Sequence, residues 1–384
     1  MPWLVYDLTK SVLLLGVVGF VGQIPTFLIS PFAGVLTDRW NRYHILIVTQ
    51  ILAMVQASVL AWLVLSNTIE VWQIVLLSGI LGCVNAFDIP ARQSFVVKMV
   101  DKKEDLSNAI ALNSSMVNGA RLLGPSLAGM LIATTGEGIC FLINAISYIF
   151  VIWSLLLMKI IPDEKRHRDQ PVLTELKKGF AYTFGSIPIK YTILLLALVS
   201  LMGMPYTVLM PAFAREILHG GSHTFGFLMG ASGFGALTGA FYLASRKSVI
   251  GLDKIIPLAT ITFGSGLILF SYSHQFVLSM ALMVITGLGM MLQMASINTV
   301  LQTIVTDDMR GRVMSFYTMA FMGTAPFGSL LAGSMAKFIG VPQTILFGGV
   351  VCIFGAILFI RKLPQITRSI LQSTKNDSEY GHKP

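Results

Sequence analysis

Gly34-Val35-Leu36-Thr37-Asp38-Arg39-Trp40-Asn41-Arg42 is a polar break in a chain that is otherwise mostly apolar. An acid and two arginines stand between two long apolar runs, 11–36 and 43–65. A bilayer core is crossed by about 20 apolar helical residues, so each run is long enough to span it. The break then reads as a short loop between two membrane helices.

Composition agrees. Hydrophobic residues make up 54% of the 384 and charged residues only 12%, about half the charged share of an ordinary soluble domain. Water offers no fold that hides so much apolar surface, and a bilayer removes the need. About eleven full spans can be drawn, from 11–36 to 342–360. Cys83, Cys140 and Cys352 each sit inside an apolar run, which argues for packing rather than a disulfide framework.

The net charge of +9 is distributed unevenly. With alternate loops on opposite sides, one side receives Arg39, Arg42, Arg92, Lys98, Lys102, Lys103, Lys165, Arg166, Arg168, Lys177, Lys178, Arg246, Lys247, Lys254, Arg310, Arg312, Arg361, Lys362 and the tail. The other receives Lys10, Arg215 and Lys337. The positive-inside rule makes the first side cytoplasmic, together with the C-terminus. A topology signal accounts for the basic balance, and nucleic acid is not expected as a partner.

The N-terminal segment 1–9 is apolar but too short to span. It reads as the last third of a helix and puts the apparent truncation in the first helix. Residues 1–161 are expected to form a bundle of this partial helix and helices 2–6. A polar linker with an interfacial helix follows at 162–188, its Lys177 and Lys178 set against an apolar face of Phe180 and Phe184. A second bundle, 189–362, holds helices 7–12, and the polar tail 363–384 is expected to be disordered. The two bundles repeat at an offset of about 205 residues: Gly82 matches Gly287, Gln93 matches Asn298, and Ser126–Gly129 answers Ser329–Gly333.

Few polar residues lie in the spans. Asn85, Asp88 and Arg92 share one helical face, ahead of a basic loop. Asp88 and Arg92 form either a local pair or a set in which Arg92 answers Asp38. Arg121 lies near the middle of helix 5, where a charge costs about 3 kcal/mol on insertion scales. It either pairs with a carboxylate or attracts an anionic substrate group. Gln23, Asn85, Asn113, Arg121 and Gln293 are the polar positions expected to line a substrate cavity. Methionine is abundant, 20 in all, which serves either ordinary packing or a permissive binding surface. The six histidines fall in loops, span ends or the tail, without metal-ligand spacing, and no phosphate loop occurs. Neither an enzyme, a metal site nor a cofactor is expected.

The motif G-x-L-[AT]-D-R-x-x-R at 34–42 resembles the loop between the second and third helices of the major facilitator superfamily. Pro31-Phe-Ala-Gly-Val-Leu-Thr-Asp-Arg, Asn85-Ala-Phe-Asp-Ile-Pro-Ala-Arg-Gln-Ser-Phe and Ala109-Ile-Ala-Leu-Asn-Ser resemble its enterobactin-exporter-like and macrolide-efflux-like branch. The resemblance implies an all-α polytopic protein of two parallel six-helix halves. It implies a monomeric exporter of a small organic molecule in a bacterial inner membrane, driven by proton antiport with rocker-switch access. An importer or a non-transporting sensor is the alternative. Gly34, Asp38, Arg39, Arg42, Asp88 and Arg92 would form a cytoplasmic gate, and Arg121, Gly124, Pro125 and Gly129 match the helix 5 element of exporters. The expected partners are the lipid bilayer, the solute and protons.

Overall fold

The computed structural model describes residues 1–39, 41–96, 106–158, 172–246 and 248–370, with some side chains inside those helices left undescribed. Every regular element among them is helical. A backbone in lipid must satisfy its polar groups within the segment, which leaves the helix as the only open-chain solution. The first half comprises α1 (Pro2–Thr9), α2 (Val12–Arg39), α3 (Arg42–Leu65), α4 (Val71–Val96), α5 (Leu106–Thr135) and α6 (Glu137–Leu157). Next come α7 (Val172–Gly185), α8 (Ile187–Leu198), α9 (Tyr206–Glu216), α10 (Ser222–Ser245), α11 (Leu252–Ser271) and α12 (Phe276–Ile304). The chain continues with α13 (Asp307–Thr318), α14 (Ala325–Ile339) and α15 (Val341–Ile360).

Nine helical stretches among the described residues are long and apolar enough to cross a membrane. One of them, Ile187–Glu216, joins α8 and α9 through a π-turn at Val199–Gly203. The 30-residue α5, and α13 joined to α14 through a second π-turn at Met319–Gly323, are not among those nine, and within α5 only Leu123–Thr135 forms a shorter apolar helix. The polar break that opened the reading is shorter than a loop. Thr37, Asp38 and Arg39 belong to the last turn of α2, and α3 begins at Arg42. Asn41 caps α3, its side chain accepting from the Tyr43 N–H at 3.0 Å.

The repeat is visible as helix crossings. A Cβ on Gly82 of α4 would lie 2.5 Å from the Gly22 carbonyl oxygen of α2. A Cβ on Gly287 of α12 would overlap the Ser232 carbonyl of α10. Glycine permits backbone contact at the same place in each half. Gly264 of α11 and Gly349 of α15 face each other likewise, a Cβ on either lying 2.7 Å from the other's carbonyl oxygen. Large apolar side chains of α3 and α6 stay exposed, among them Val55, Trp62, Phe150 and Trp153, as bilayer-facing helices require.

The chain divides into two compact units, Met1–Arg168 with Val208–Phe227, and Asp169–Thr207 with Leu228–Pro384. This corrects the expected 1–161 and 189–362 bundles in one respect. The end of α9 and the start of α10 group with the first unit, because backbone-close contacts described below tie them there.

The C-terminal expectation is also corrected. Residues 363–370 are helical. Ile366 and Ile370, one turn apart, are 0% and 2% exposed, and the Thr367 hydroxyl donates to Asp253. An i, i+4 isoleucine pair is enough to dock a short helix that average polarity hides. Residues 371–384 lie outside the described residues.

Candidate functional site: a buried carboxylate and a glycine seam

Asp88 sits toward the end of α4 that leads into the Lys-rich loop, one turn before Ala91 and two before Phe95. Both of those pack with Ile45 and Leu46 of α3 and Leu155 of α6. The carboxyl is therefore dry: Asp88 is 4% exposed. It is fully engaged. Thr49 Oγ1 donates to Oδ1 at 2.9 Å, Gln50 Nε2 to the same oxygen at 2.7 Å, and Arg92 Nη2 to Oδ2 at 2.5 Å. Charge-assisted bonds of this kind strengthen where water is excluded. The Arg92 side chain itself is 63% exposed. One oxygen thus rests on neutral donors of α3 and the other on a cation at the wet rim.

Among the described residues Asp88 and Arg92 form the local pair, one helical turn apart; the Asp38 side chain, which Arg92 would answer in the other reading, lies outside the described residues. Thr49 and Gln50 were missed. Their signal was a polar doublet eight residues into an otherwise apolar α3. Beside them, Thr49, His44 and Asn41 line the polar end of an open apolar groove of about 1170 Å³ between α2, α3 and α4, which extends to Trp72.

The expected gate residues are not all visible. Gly34, Asp38 and Arg39 lie in the final turns of α2, but their side chains lie outside the described residues. Arg42 is half-buried at the start of α3. Arg121 and Asn113 are helical in α5, with side chains outside the described residues. Gln23 is exposed and donates to its own helix at Gly19 O. Asn85 is half-buried one turn before Asp88. Gln293 is fully enclosed, as is Ser296 one turn on. Gln293 therefore contributes no surface to an open cavity in this conformation.

The helix 5 element has a clear structural consequence. A Cβ on Gly129 would sit 2.7 Å from the Ser222 carbonyl oxygen and 2.8 Å from Gly226 Cα, both in α10. A Cβ on Gly226 would sit 2.6 Å from the Pro125 carbonyl oxygen. Ser222 Oγ donates to Gly129 O at 3.2 Å and Ser126 Oγ to Gly226 O at 3.3 Å. Pro125 and Gly129 therefore form a sealed backbone seam with α10 at the end remote from the basic loops. Gly124 takes no part, since a Cβ there meets nothing within 4 Å. Beside the seam Trp3 stacks on Phe225 at 6.1 Å, and the Tyr6 hydroxyl donates to Glu216 of α9. The sequence did not reveal these cross-chain contacts of α1.

Among the described residues of the second unit, one acid that the sequence reading did not single out is buried. Asp253, in the first turn of α11, is 2% exposed and accepts from Thr367. The start of a helix favours an anion.

Repeated glycine crossings, paired interrupted helices and two helical halves define the major facilitator fold. Solved structures share it: a bacterial homolog to the human lysosomal transporter Spinster aligns at a TM-score of 0.67 with 14% identity over 97% of both chains. A D-xylose-proton symporter aligns at 0.71 with 13% identity over 91% of this chain and 87% of that one. The chain belongs to the transmembrane secretion effector family of this superfamily, whose sequence profile matches residues 1–379. It is similar to the Staphyloferrin A transporter of Staphylococcus aureus, 26% identical over 94% of this chain and 90% of that protein. It is also similar to Macrolide efflux protein A of Streptococcus pyogenes, 22% identical over 90% and 86%. Multidrug efflux pump Tap of Mycolicibacterium fortuitum is 23% identical over 90% and 86%. The protein is a multi-pass membrane transporter, not an enzyme.

Proposed function

We propose that the protein exports a small organic molecule from a bacterial cell by proton antiport, working as a monomer with its C-terminus in the cytoplasm. The observation that carries this reading is Asp88: a buried carboxylate near the basic end, held by two neutral donors and one exposed cation. Such a group can take a proton without leaving a buried cation behind, because Arg92 reaches solvent. The seam of Gly129 and Gly226 closes the opposite face, and its opening alternates with closure at Asp38, Arg39 and Arg42. The names of the relatives point to a siderophore-like or a drug-like solute. A siderophore anion would suit Arg121, and a lipophilic drug would suit the methionines.

Everted membrane vesicles test the proposal with a carboxylate siderophore and a macrolide as solutes. Accumulation that collapses with the proton gradient is expected for one of them. Asp38→Asn should impair it while membrane insertion stays intact. Gradient-independent behaviour with both solutes, or full transport by the Asp38→Asn variant, would remove the support.

A further inference from the structure

Gln293 and Ser296 stand one turn apart on one face of α12, and each is 0% exposed. Both amide atoms of Gln293 and the Ser296 hydroxyl meet no hydrogen-bonding group of the protein. The other buried glutamines among the described residues are satisfied: Gln50 donates to Asp88 and Gln56 to the Leu77 carbonyl. Enclosing an amide and a hydroxyl without partners is costly in any apolar medium. The position is not a random one. Gln293 follows Gly287 by six residues, as Asp88 follows Gly82, so it occupies in the second half the register that Asp88 occupies in the first.

The facing helix, α11, supplies a further polar group. A Cβ on Gly266 of α11 would lie 2.5 Å from Thr286 Oγ1 of α12. A Cβ on Gly289 of α12 would lie 2.8 Å from the Ala259 carbonyl oxygen and 2.6 Å from the Phe263 nitrogen. The two helices are thus antiparallel and in backbone contact, with α11 numbers falling as α12 numbers rise. One further turn along α12 brings Gln293 and Ser296 level with turn 253–257 of α11, buried at Asp253, Ile256 and Pro257. Pro257 has no N–H to give the Asp253 carbonyl, and its ring pushes the backbone open there. In membrane helices such freed carbonyls are met by neighbouring side chains or ordered water. Gln293 and Ser296 stand at that level and bond nothing in the protein.

We infer that Gln293, Ser296 and the Asp253 carbonyl hold internal water at the Pro257 bend. The amide offers a donor and an acceptor, the hydroxyl either, and the carbonyl an acceptor. Water's two hydrogens and two lone pairs match that set, and a buried water makes about three such bonds. A cation would leave the amide N–H without a partner. The first half fills the same register differently, with Asp88 bonded directly by Thr49 and Gln50. The site lies within the second unit and does not rest on the proposed transport.

X-ray radiolysis of the full chain in detergent, read by mass spectrometry, tests the site. Hydroxyl radicals formed from a held water oxidise the side chains around it even where bulk solvent is excluded. Pro257 and Ile297 should be oxidised, while Phe270, equally buried but at the far end of α11, should not. The Q293M/S296A double variant should lose the oxidation at Pro257 and Ile297. Ser296→Ala alone should weaken it, and serves if the double variant fails to fold. Unfolding temperature gives a second readout with a definite sign. Gln293→Met keeps the volume and should lower it, because the water loses an anchor and the Asp253 carbonyl a partner. Removing a dry, unpartnered amide would instead raise it. Oxidation of Pro257 no greater than that of Phe270 would overturn the inference. So would oxidation that persists unchanged in the variants, which marks access from bulk solvent, or a raised unfolding temperature in Gln293→Met.

Discussion

Ser200 Oγ donates a 2.5 Å hydrogen bond to the carbonyl oxygen of Phe321. The bond joins the π-turn between α8 and α9 to the π-turn between α13 and α14. A π-turn shifts the backbone hydrogen-bond register and frees a carbonyl that a lipid-embedded helix must satisfy elsewhere. Ser200 is 1% exposed, so no water can replace it. A second hydroxyl, Thr324 Oγ1, reaches Ala197 O at 3.4 Å. Ser200→Ala should cost about 1–3 kcal/mol, the penalty for an unsatisfied buried acceptor. Thermal unfolding would show it, with faster amide exchange confined to 199–203 and 319–323. An unchanged unfolding temperature and exchange pattern would mean that the two turns are held by packing alone.

Asp88 bears on both stability and transport. In Asp88→Asn the amide oxygen still accepts from Thr49 and Gln50, and Arg92 loses a partner it holds at an exposed rim. Only the Arg92 end of that pair is exposed; at the dry end the new amide NH2 faces a cation and has no acceptor, so the change should cost about 1–3 kcal/mol. Transport driven by a proton gradient should be lost, while exchange of labelled for unlabelled solute persists. Gln50→Leu keeps the titratable carboxyl but strips a neutral donor from it, which should also cost about 1.5–3 kcal/mol. Gradient-driven uptake by Asp88→Asn vesicles at the wild-type rate would exclude this carboxyl from coupling.

Much of this was readable beforehand, and the rest was not for definite reasons. The spans showed as uninterrupted apolar runs, and Asp88 with Arg92 showed as an i, i+4 pair. Gly82 and Gly287 emerged from the internal repeat and prove to be equivalent crossings. Thr49 and Gln50 could not be assigned to Asp88, since which face of α3 meets α4 is a tertiary fact. The π-turns at Val199–Gly203 and Met319–Gly323 leave no mark in hydropathy, because the same residues would make an unbroken helix. Ile366 and Ile370 were hidden by the polarity around them. The gate at Asp38 was legible only through family resemblance, and its side chain lies outside the described residues.

Two glycines of one motif should behave differently. Gly129→Ala pushes a methyl against the backbone of Ser222 and Gly226, and backbone cannot rotate away as a side chain can. The seam must part, at about 1–3 kcal/mol for overpacking. Gly124→Ala meets open space apart from its chain neighbours, and the helix-propensity gain of roughly 0.5–1 kcal/mol is offset by the clash of the new Cβ with the Pro125 ring, so it should leave the seam intact with little change in stability. In a background without Cys83, Cys140 and Cys352, Ser222→Cys should label faster with a membrane-impermeant thiol reagent when Gly129→Ala is also present. Gly124→Ala should leave that rate alone. Equal rates in both would place the close contact elsewhere.

Tyr6 and Glu216 hold α1 against α9 beside that seam, and the two partners differ in burial: Tyr6 is 3% exposed, while Glu216 is exposed to solvent. Tyr6→Phe removes the donor and leaves a carboxylate that water can solvate, so only the net worth of the bond is lost, about 0.5–1.5 kcal/mol. Glu216→Gln keeps a carbonyl acceptor for the phenol and should cost less. Glu216→Ala removes the acceptor and strands a buried hydroxyl, so it should cost more than either. The order Glu216→Gln, Tyr6→Phe, Glu216→Ala in falling unfolding temperature, with the two removals non-additive in a double-mutant cycle, is the expected outcome. Additive losses would show that α1 is anchored by Trp3 and Phe225 without this bond.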